Sequence, residues 1–398
     1  MKSKNLQIAG VMTGTSGDGV DICLLSFPLE EKGKWNVLAW ASVFFEDKFS
    51  LKVIRFQENN RLEKREYLAF SAEAARTVAL ILKNFLEDYY EGKIPDTVAV
   101  AYHGQTVGHY PGKVSIAGKD LSLTMQAGEG TIIAEETGKT TVGDFRQGDV
   151  SSGGEGAPLT PLFHRGLLAK ERDLVAFLNV GGIGNITLVE KGEIISASDT
   201  GPGNMLIDGA VALYSKGKKR YDRDGRWGRQ GIVSRKLLGY ITENDPFRER
   251  QKPASTGREE YGELFLLKLV RYGEELDLSA EDVIATLTSY TALCVRDFLL
   301  KGGYGKPKKI YVGGGGAHNS LLMEQLSSLL DNREVVSSAS LGIIPEYVEA
   351  ASFAYLGYCC LRGIPLDTSA FTGGGRTILG KIIPGTNYVH LMQLLFGT

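Results

Sequence analysis

Only four cysteines occur in 398 residues, at positions 23, 294, 359 and 360, and none belongs to a C-x-x-C pair. A disulfide framework and a cysteine-built zinc site are therefore excluded, and the pattern reads as reduced thiols in the cytoplasm. The five histidines, at 103, 109, 164, 318 and 390, show no metal-ligand spacing. No charge of one sign prevails: 45 basic against 47 acidic residues give a formal net charge of −2. That balance removes the electrostatic reason to expect nucleic acid or an anionic membrane as a partner. The opening stretch MKSKNLQIAG lacks a long apolar run, and no segment reads as a membrane span, which takes about 18 apolar residues. The G-x-G-x-x-G fingerprint at a strand–helix junction and the G-x-S-x-G nucleophile elbow are also missing. A nicotinamide cofactor and covalent serine chemistry thus lose their usual signatures. TGKTT at 137–141 resembles the end of a P-loop, but Ile133 stands where that motif requires its first glycine. Gly138 reads instead as the residue that closes a helix.

What the chain has in excess is glycine, fifty residues clustered in loops, well above the usual ~7%. Its length exceeds one ordinary core, so two domains are expected. QIAGVM and ICLLSF read as strands joined across a glycine loop, VLAWASVFF as a third strand, and 61–91 as an apolar-periodic helix. TVAVAYH is then a buried strand ending at HGQT. From 174 the plan recurs: LVAFLNV, the glycine turn GGIGN, ITLVE, a charged turn, IISASD, then helices such as 281–300 and the strand KKIYV. A last helix is expected at 345–363, with Pro345 in its first turn. Two halves of one plan would set two glycine turns across a cleft.

Three loops carry the glycines a phosphate needs, because converging N–H groups require that no side chain intervene. They are 14–19, 181–185 and 313–316. Each by itself is equally well a structural turn; together they point to a nucleotide. Asp18 and Asp21 lie beside the first loop, Asp21 as a turn carboxylate. Asp144 and Asp149 flank Phe145 and Arg146, which reads as an ion pair between the aspartates or as a partner for an anionic substrate. Asp199 stands at a strand end before Gly-Pro-Gly, a position that fits a turn residue or a carboxylate aimed into a cleft. His103 is either a satisfied core histidine or, with Gln105 and Thr106, part of a sugar-binding cluster.

GTSGDGVD, HGQT, VGDFRQGDVSSGGEGAPLTP, NVGGIGNIT, DTGPGNMLID, YDRDG, STGRE and VGGGGAHN follow one another in this order. The series resembles the anhydro-N-acetylmuramic acid kinase family from about residue 8 to 375. The resemblance implies a duplicated actin-like ATPase, or ribonuclease H-like, α/β fold of two domains with an interdomain cleft. Domain I would be 1–138 with about 350–398, and domain II 139–349. It implies a kinase that uses ATP, Mg²⁺ and water to convert 1,6-anhydro-N-acetylmuramic acid to N-acetylmuramic acid 6-phosphate in peptidoglycan recycling. A cytoplasmic homodimer is implied too. The first phosphate loop would be Gly14, Thr15, Ser16, Gly17, Asp18, Gly19, Val20 and Asp21. The second would be Gly181, Gly182, Gly184 and Asn185, with Gly313, Gly314, Gly315 and Gly316 at the adenosine end. Asp199 matches the catalytic base and Glu349 a sugar-binding carboxylate, while Gln105, Arg146 and Asp149 fall on the sugar side. The metal ligands stay unassigned. Three positions depart from the family: Gly17 for a large apolar residue, Gly143 for alanine, and Glu155 for glutamine. Two other readings stand beside this one: a levoglucosan-type anhydrosugar kinase, and a nucleotide-switched module like Hsp70 or actin. Against the second, no separate peptide-binding domain or polymer-type insertion is identifiable.

Overall fold

QIAGVM and ICLLSF form the first two strands of a sheet, β1 (Asn5–Thr13) and β2 (Gly19–Pro28), antiparallel with Val11 opposite Ile22. The structure, a computed structural model, describes every residue except 1–4, 15–16, 30–34, 59–61, 246, 251–253, 255, 332 and 398, and the side chains of 58, 258 and 259. The chain divides into two units, Met1–Phe163 with Tyr347–Thr398, and His164–Glu346. The first unit continues with β3 (Asn36–Phe44), β4 (Val98–Tyr102), the hairpin β5 (Gln105–Ile116) and β6 (Lys119–Ala127), and β7 (Thr141–Gly143). The second holds β8 (Val175–Val180), β9 (Ile183–Glu190), β10 (Glu193–Pro202), β11 (Lys309–Gly313) and β12 (Glu334–Ser337). The chain then returns to the first unit with β13 (Leu366–Asp367), β14 (Arg376–Thr377) and β15 (Lys381–Ile383).

The larger sheets have the orders β15-β7-β4-β1-β2-β3 and β10-β9-β8-β11-β12. In the first, β1, β2 and β3 are antiparallel neighbours, and β4 and β7 continue parallel to β1. In the second, β8, β9 and β10 repeat the antiparallel trio, and β11 and β12 the parallel pair. Apart from the edge strand β15, the two sheets share one strand order and one set of directions. That duplication is the ribonuclease H-like plan of the actin-like ATPases. The central parallel strands β4 and β8 are buried along their whole length, which is why they read as unbroken apolar runs.

The helix expected at 61–91 spans Lys64–Tyr89, its start capped by the Glu63 side chain accepting from the Glu66 N–H. It buries Phe70, Ala74, Val78, Leu82 and Leu86 against a core that includes Val11, Ile22 and Val98. The 22-residue helix Ala280–Lys301 is long and apolar enough to cross a membrane, contrary to the expectation that no segment is. It is a core helix: Val283, Ile284, Leu287 and Tyr290 enter one buried cluster, and Ala292, Val295, Phe298 and Leu299 another. Residues 139–163, expected in the second domain, pack with the first unit because β7 pairs with β4 and β15. Arg146 and Asp149 are therefore first-unit residues. Gly138 ends the helix Gly130–Thr137 with φ 67°, as a helix-closing glycine should.

Asn387 joins the last segment to this sheet. Its Oδ1 accepts from the Thr140 N–H and hydroxyl at 2.8 and 2.9 Å, and its Nδ2 donates to the Asp96 and Val98 carbonyls at 3.0 and 2.7 Å. Asn387→Ala leaves buried donors and acceptors unpaired, at about 1–3 kcal/mol each. The expected loss is about 2–4 kcal/mol of first-unit stability in chemical denaturation, and an unchanged midpoint would contradict this account.

Candidate active site

In each unit the residues singled out by sequence gather where parallel strands end at their carboxyl sides, the usual ligand edge of such sheets. The loop after β1 carries Gly14, Gly17 and Asp18; Thr15 and Ser16 lie outside the described residues. Gly19, Val20 and Asp21 belong to β2 rather than to this loop. Val20 points into the core, and Asp21 accepts a hydrogen bond from the Ser42 hydroxyl of β3. Gly17 has φ +66°, and a Cβ there would stand 2.6 Å from Val53 Cγ1. A large apolar side chain does not fit this loop, which accounts for the first departure. Gln105, the first residue of β5, donates from Nε2 to the Gly14 carbonyl at 3.0 Å and so braces the loop.

The loops after β4 and β7 meet at Arg146. Its Nε donates to His103 Nε2 at 2.8 Å, so His103 carries its proton on Nδ1. Burial, with Arg146 as second cause, holds His103 well below its ordinary pKa, and the ring is neutral. Burial also lowers Arg146 to about 10, opposed by the charge of Glu349 in the first turn of the helix Val348–Leu361. Arg146 is thus not the ion pair between Asp144 and Asp149 that the sequence suggested: it faces His103 and Glu349, and Asp144 pairs with Lys381 at 3.7 Å. Among the described residues, Thr13 Oγ1, His103 Nδ1 and Gln105 Oε1 are buried here without a hydrogen-bond partner. Such orphans mark a surface built to receive polar groups. Asp149 is fully buried and accepts from the Gly156 N–H and the Thr368 and Thr372 hydroxyls at 2.8, 2.6 and 3.0 Å. Its carboxylate braces the 149–156 loop against the 368–372 segment. Glu155 is half-buried, and burial raises its carboxyl, with Lys113 opposing and Asp149 adding. At Gly143 a Cβ would meet only the Tyr102 carbonyl, at 3.7 Å, so alanine would fit.

In the second unit the turn is tighter than GGIGN implied, because Ile183, Gly184 and Asn185 already belong to β9. Gly181 and Gly182 form it, and 203–205 clip onto it: Gly203 and Met205 donate to the Gly182 carbonyl at 2.9 and 3.1 Å, and Asn204 to Gly181 at 2.7 Å. Asp199 does not end its strand; β10 runs on to Pro202 and bulges between Asp199 and Gly201. Bulges re-aim side chains and are common beside active sites. The half-buried Asp199 lies opposite Asn185, and its Oδ2 accepts from the Thr256 N–H at 2.9 Å.

After Gly313 closes β11, Gly314 starts a short turn, Gly315–His318, that packs on Val180. Gly315 lines a cavity of about 470 Å³ together with Asn204, Asp208, Tyr221, Asp222 and Glu346. Sequence reasoning missed Asn204 and Asp208. Asn204 Nδ2 donates to the Val180 carbonyl at 3.2 Å, tying the two glycine loops together. The signal was present in the DTGPGNMLID block, where both residues follow the glycines.

Among known proteins, the family model described as Anhydro-N-acetylmuramic acid kinase matches residues 6–385. An anhydro-N-acetylmuramic acid kinase of Pseudomonas syringae pv. syringae (strain B728a) is 35% identical over 379 residues, covering 94% of this chain and 98% of that protein. The enzyme of the same name from Pseudomonas savastanoi pv. phaseolicola (strain 1448A / Race 6) matches at 35% over the same shares.

Asp208 gives the cavity a pH signature. Burial, then the neighbouring Asp222, raises its carboxyl from 3.8 to about 7. The folded state therefore resists losing this proton, so stability present at low pH is lost as pH rises from about 4 through about 7. Asp208→Asn removes that loss: its melting temperature relative to wild type should rise from about pH 5 to about pH 8. A difference independent of pH would refute the assignment.

Proposed function

From the chain's membership of the anhydro-N-acetylmuramic acid kinase family, we propose that it opens the 1,6-anhydro ring of 1,6-anhydro-N-acetylmuramic acid with water while ATP phosphorylates O6. The products are N-acetylmuramic acid 6-phosphate and ADP. The observation that carries this reading is one carboxylate, Asp199, held by a backbone N–H on a bulged strand beside the glycine turn Gly181–Gly182.

In the anhydro sugar C1 and C6 share one oxygen. Ring opening forms a bond from water oxygen to C1 and breaks the bond from C1 to the bridge oxygen, which stays on C6. An inverting glycosidase needs two carboxyl groups, one to activate water and one to protonate the leaving oxygen. Here the γ-phosphoryl group replaces that proton, so a single base suffices. Asp199 takes the water proton. Each unit brings glycines of the kind whose N–H groups take phosphate oxygens, at 181–182 in the second and after β1 in the first. A magnesium ion arriving with the nucleotide phosphates would take oxygen ligands, and Asp18, beside the first glycine loop, would be the carboxylate to meet it. When bound, that ion neutralises charge on the transferred group. Gly315, Asn204 and the cavity around them take the nucleoside end.

On the sugar side, Thr13, His103 and Gln105 offer unpaired polar atoms to hydroxyl and amide groups. Arg146, still charged at neutral pH, suits the lactyl carboxylate, and Glu349 a sugar hydroxyl. The reaction belongs to peptidoglycan recycling in the cytoplasm, with the chain as a homodimer.

Mass spectrometry of the product formed in ¹⁸O-water with ATP and the anhydro sugar tests the reading: label on the C1 oxygen and phosphate on O6 are expected. Label on phosphate would refute it. Asp199→Asn should lower turnover by about 10²–10⁴-fold with nucleotide affinity unchanged. Turnover within about threefold of wild type would remove Asp199 from the base role.

A further inference from the structure

We propose that Ser198 positions the candidate base, acting through Ala254 and Thr256; this rests on Asp199 being that base. β10 is an edge strand of its sheet. Its outer side at 198–199 is met by Ala254 and Thr256, neither of which lies in a strand. The Ser198 hydroxyl, in a residue only 3% exposed, accepts from the Ala254 N–H at 3.0 Å and lies 3.1 Å from the Ala254 carbonyl and 2.9 Å from that of Asp199. Its single proton serves either carbonyl. The Asp199 N–H donates to the Ala254 carbonyl at 3.1 Å, and two residues on the Thr256 N–H returns to Asp199 Oδ2 at 2.9 Å.

Ala254 and Thr256 are thus fastened to β10, one at the backbone of 198–199 and the other at the carboxylate. Farther along, the Thr256 hydroxyl donates to Glu260, which pairs with Arg250. A carboxylate with one oxygen fixed by an N–H cannot rotate freely, and a base gains most when its geometry is set before the reaction. Ser198 touches no reacting atom; it holds Ala254, two residues from the Thr256 N–H. Without the hydroxyl, Ala254 loses its side-chain acceptor and Thr256 its fixed approach to Asp199.

Such a role separates from a merely structural one in three readouts. Ser198→Ala should lower kcat by about ten- to a hundredfold, with KM for ATP and for the anhydro sugar within about twofold. The N–H bond favours the ionised carboxylate, so loosening it should move the acidic limb of the kcat–pH profile upward by about half a unit or more. Ser198→Thr, which keeps the hydroxyl, should restore both. In the Asp199→Asn background Ser198→Ala should cost nothing further, because its effect passes through the missing carboxylate. An unmoved acidic limb, or the same fold loss with and without Asp199, would overturn the positioning role. Should Ser198→Ala not fold, the pH limb of Ser198→Thr decides: a wild-type limb is expected, and a shift with the hydroxyl kept would overturn the role. A fully active Asp199→Asn enzyme would instead remove the base itself, so the two failures are distinguishable.

Discussion

Three backbone hydrogen bonds from 203–205 to the carbonyls of Gly181 and Gly182 govern the second unit's site. They fasten the exit of β10 to the turn between β8 and β9, so the loop proposed for phosphate and the strand carrying Asp199 move as one piece. With both carbonyls committed, the polar group the turn still offers is N–H, which suits an anion. The approach is so close that a Cβ on Gly203 would overlap the Gly181 carbonyl oxygen. Any side chain at 203 would push the strand from the turn and so move Asp199 away from the loop proposed for phosphate.

The first unit solves a different problem, that of keeping a cation charged in a half-buried place without losing it to an acid. Arg146 is half-buried, and burial alone works against its charge. Glu349 compensates, and neutral His103 takes one guanidinium N–H as acceptor. Because His103 uses Nε2 this way, its remaining ring nitrogen is a donor. The result is a nearly neutral polar surface with fixed directions, better matched to hydroxyl, amide and carboxylate groups together than to a free anion. Asp149 belongs to the frame of this arrangement rather than to its face. Its three donors come from 156, 368 and 372, so it ties the loop that follows Arg146 to the returning chain.

How far the sequence was legible depended on whether the physics was local. Buried parallel strands such as β4 and β8 announce themselves as apolar runs, and the duplicated strand–turn–strand rhythm carries the repeated plan in the sequence itself. The hairpin at 105–127 is hard to read from sequence because Gly108, Pro111 and Gly112 interrupt the alternation of its first strand and its outer half is exposed. Asp199 was read as a strand end because Gly-Pro-Gly follows it, yet an edge strand tolerates proline and the bulge absorbs the irregularity. The partners of Arg146 were invisible for another reason. His103 and Glu349 lie 43 residues before and 203 after it, and only the sheet order brings the ends of β4 and β7 together.

On the proposed function, the charge order within the second unit also fixes which way a nucleotide can lie. The cavity beside Gly315 is ringed by Asp208, Asp222, Asp224 and Glu346, against Arg223 and His318. Asp222 already repels Asp208 enough to help raise its carboxyl; a triphosphate among these acids would add several negative charges at short range, each repelled by about 1–4 kcal/mol even in well-screened surroundings. Ribose hydroxyls and an exocyclic amine carry the opposite requirement, since they donate to carboxylates. The phosphates must therefore leave the cavity toward the glycine turn, where backbone N–H groups wait and Asn204 touches both places. That direction carries the γ-phosphoryl toward Asp199's end of the unit, so acidic residues at the far end help aim the group that captures the oxygen released from C1.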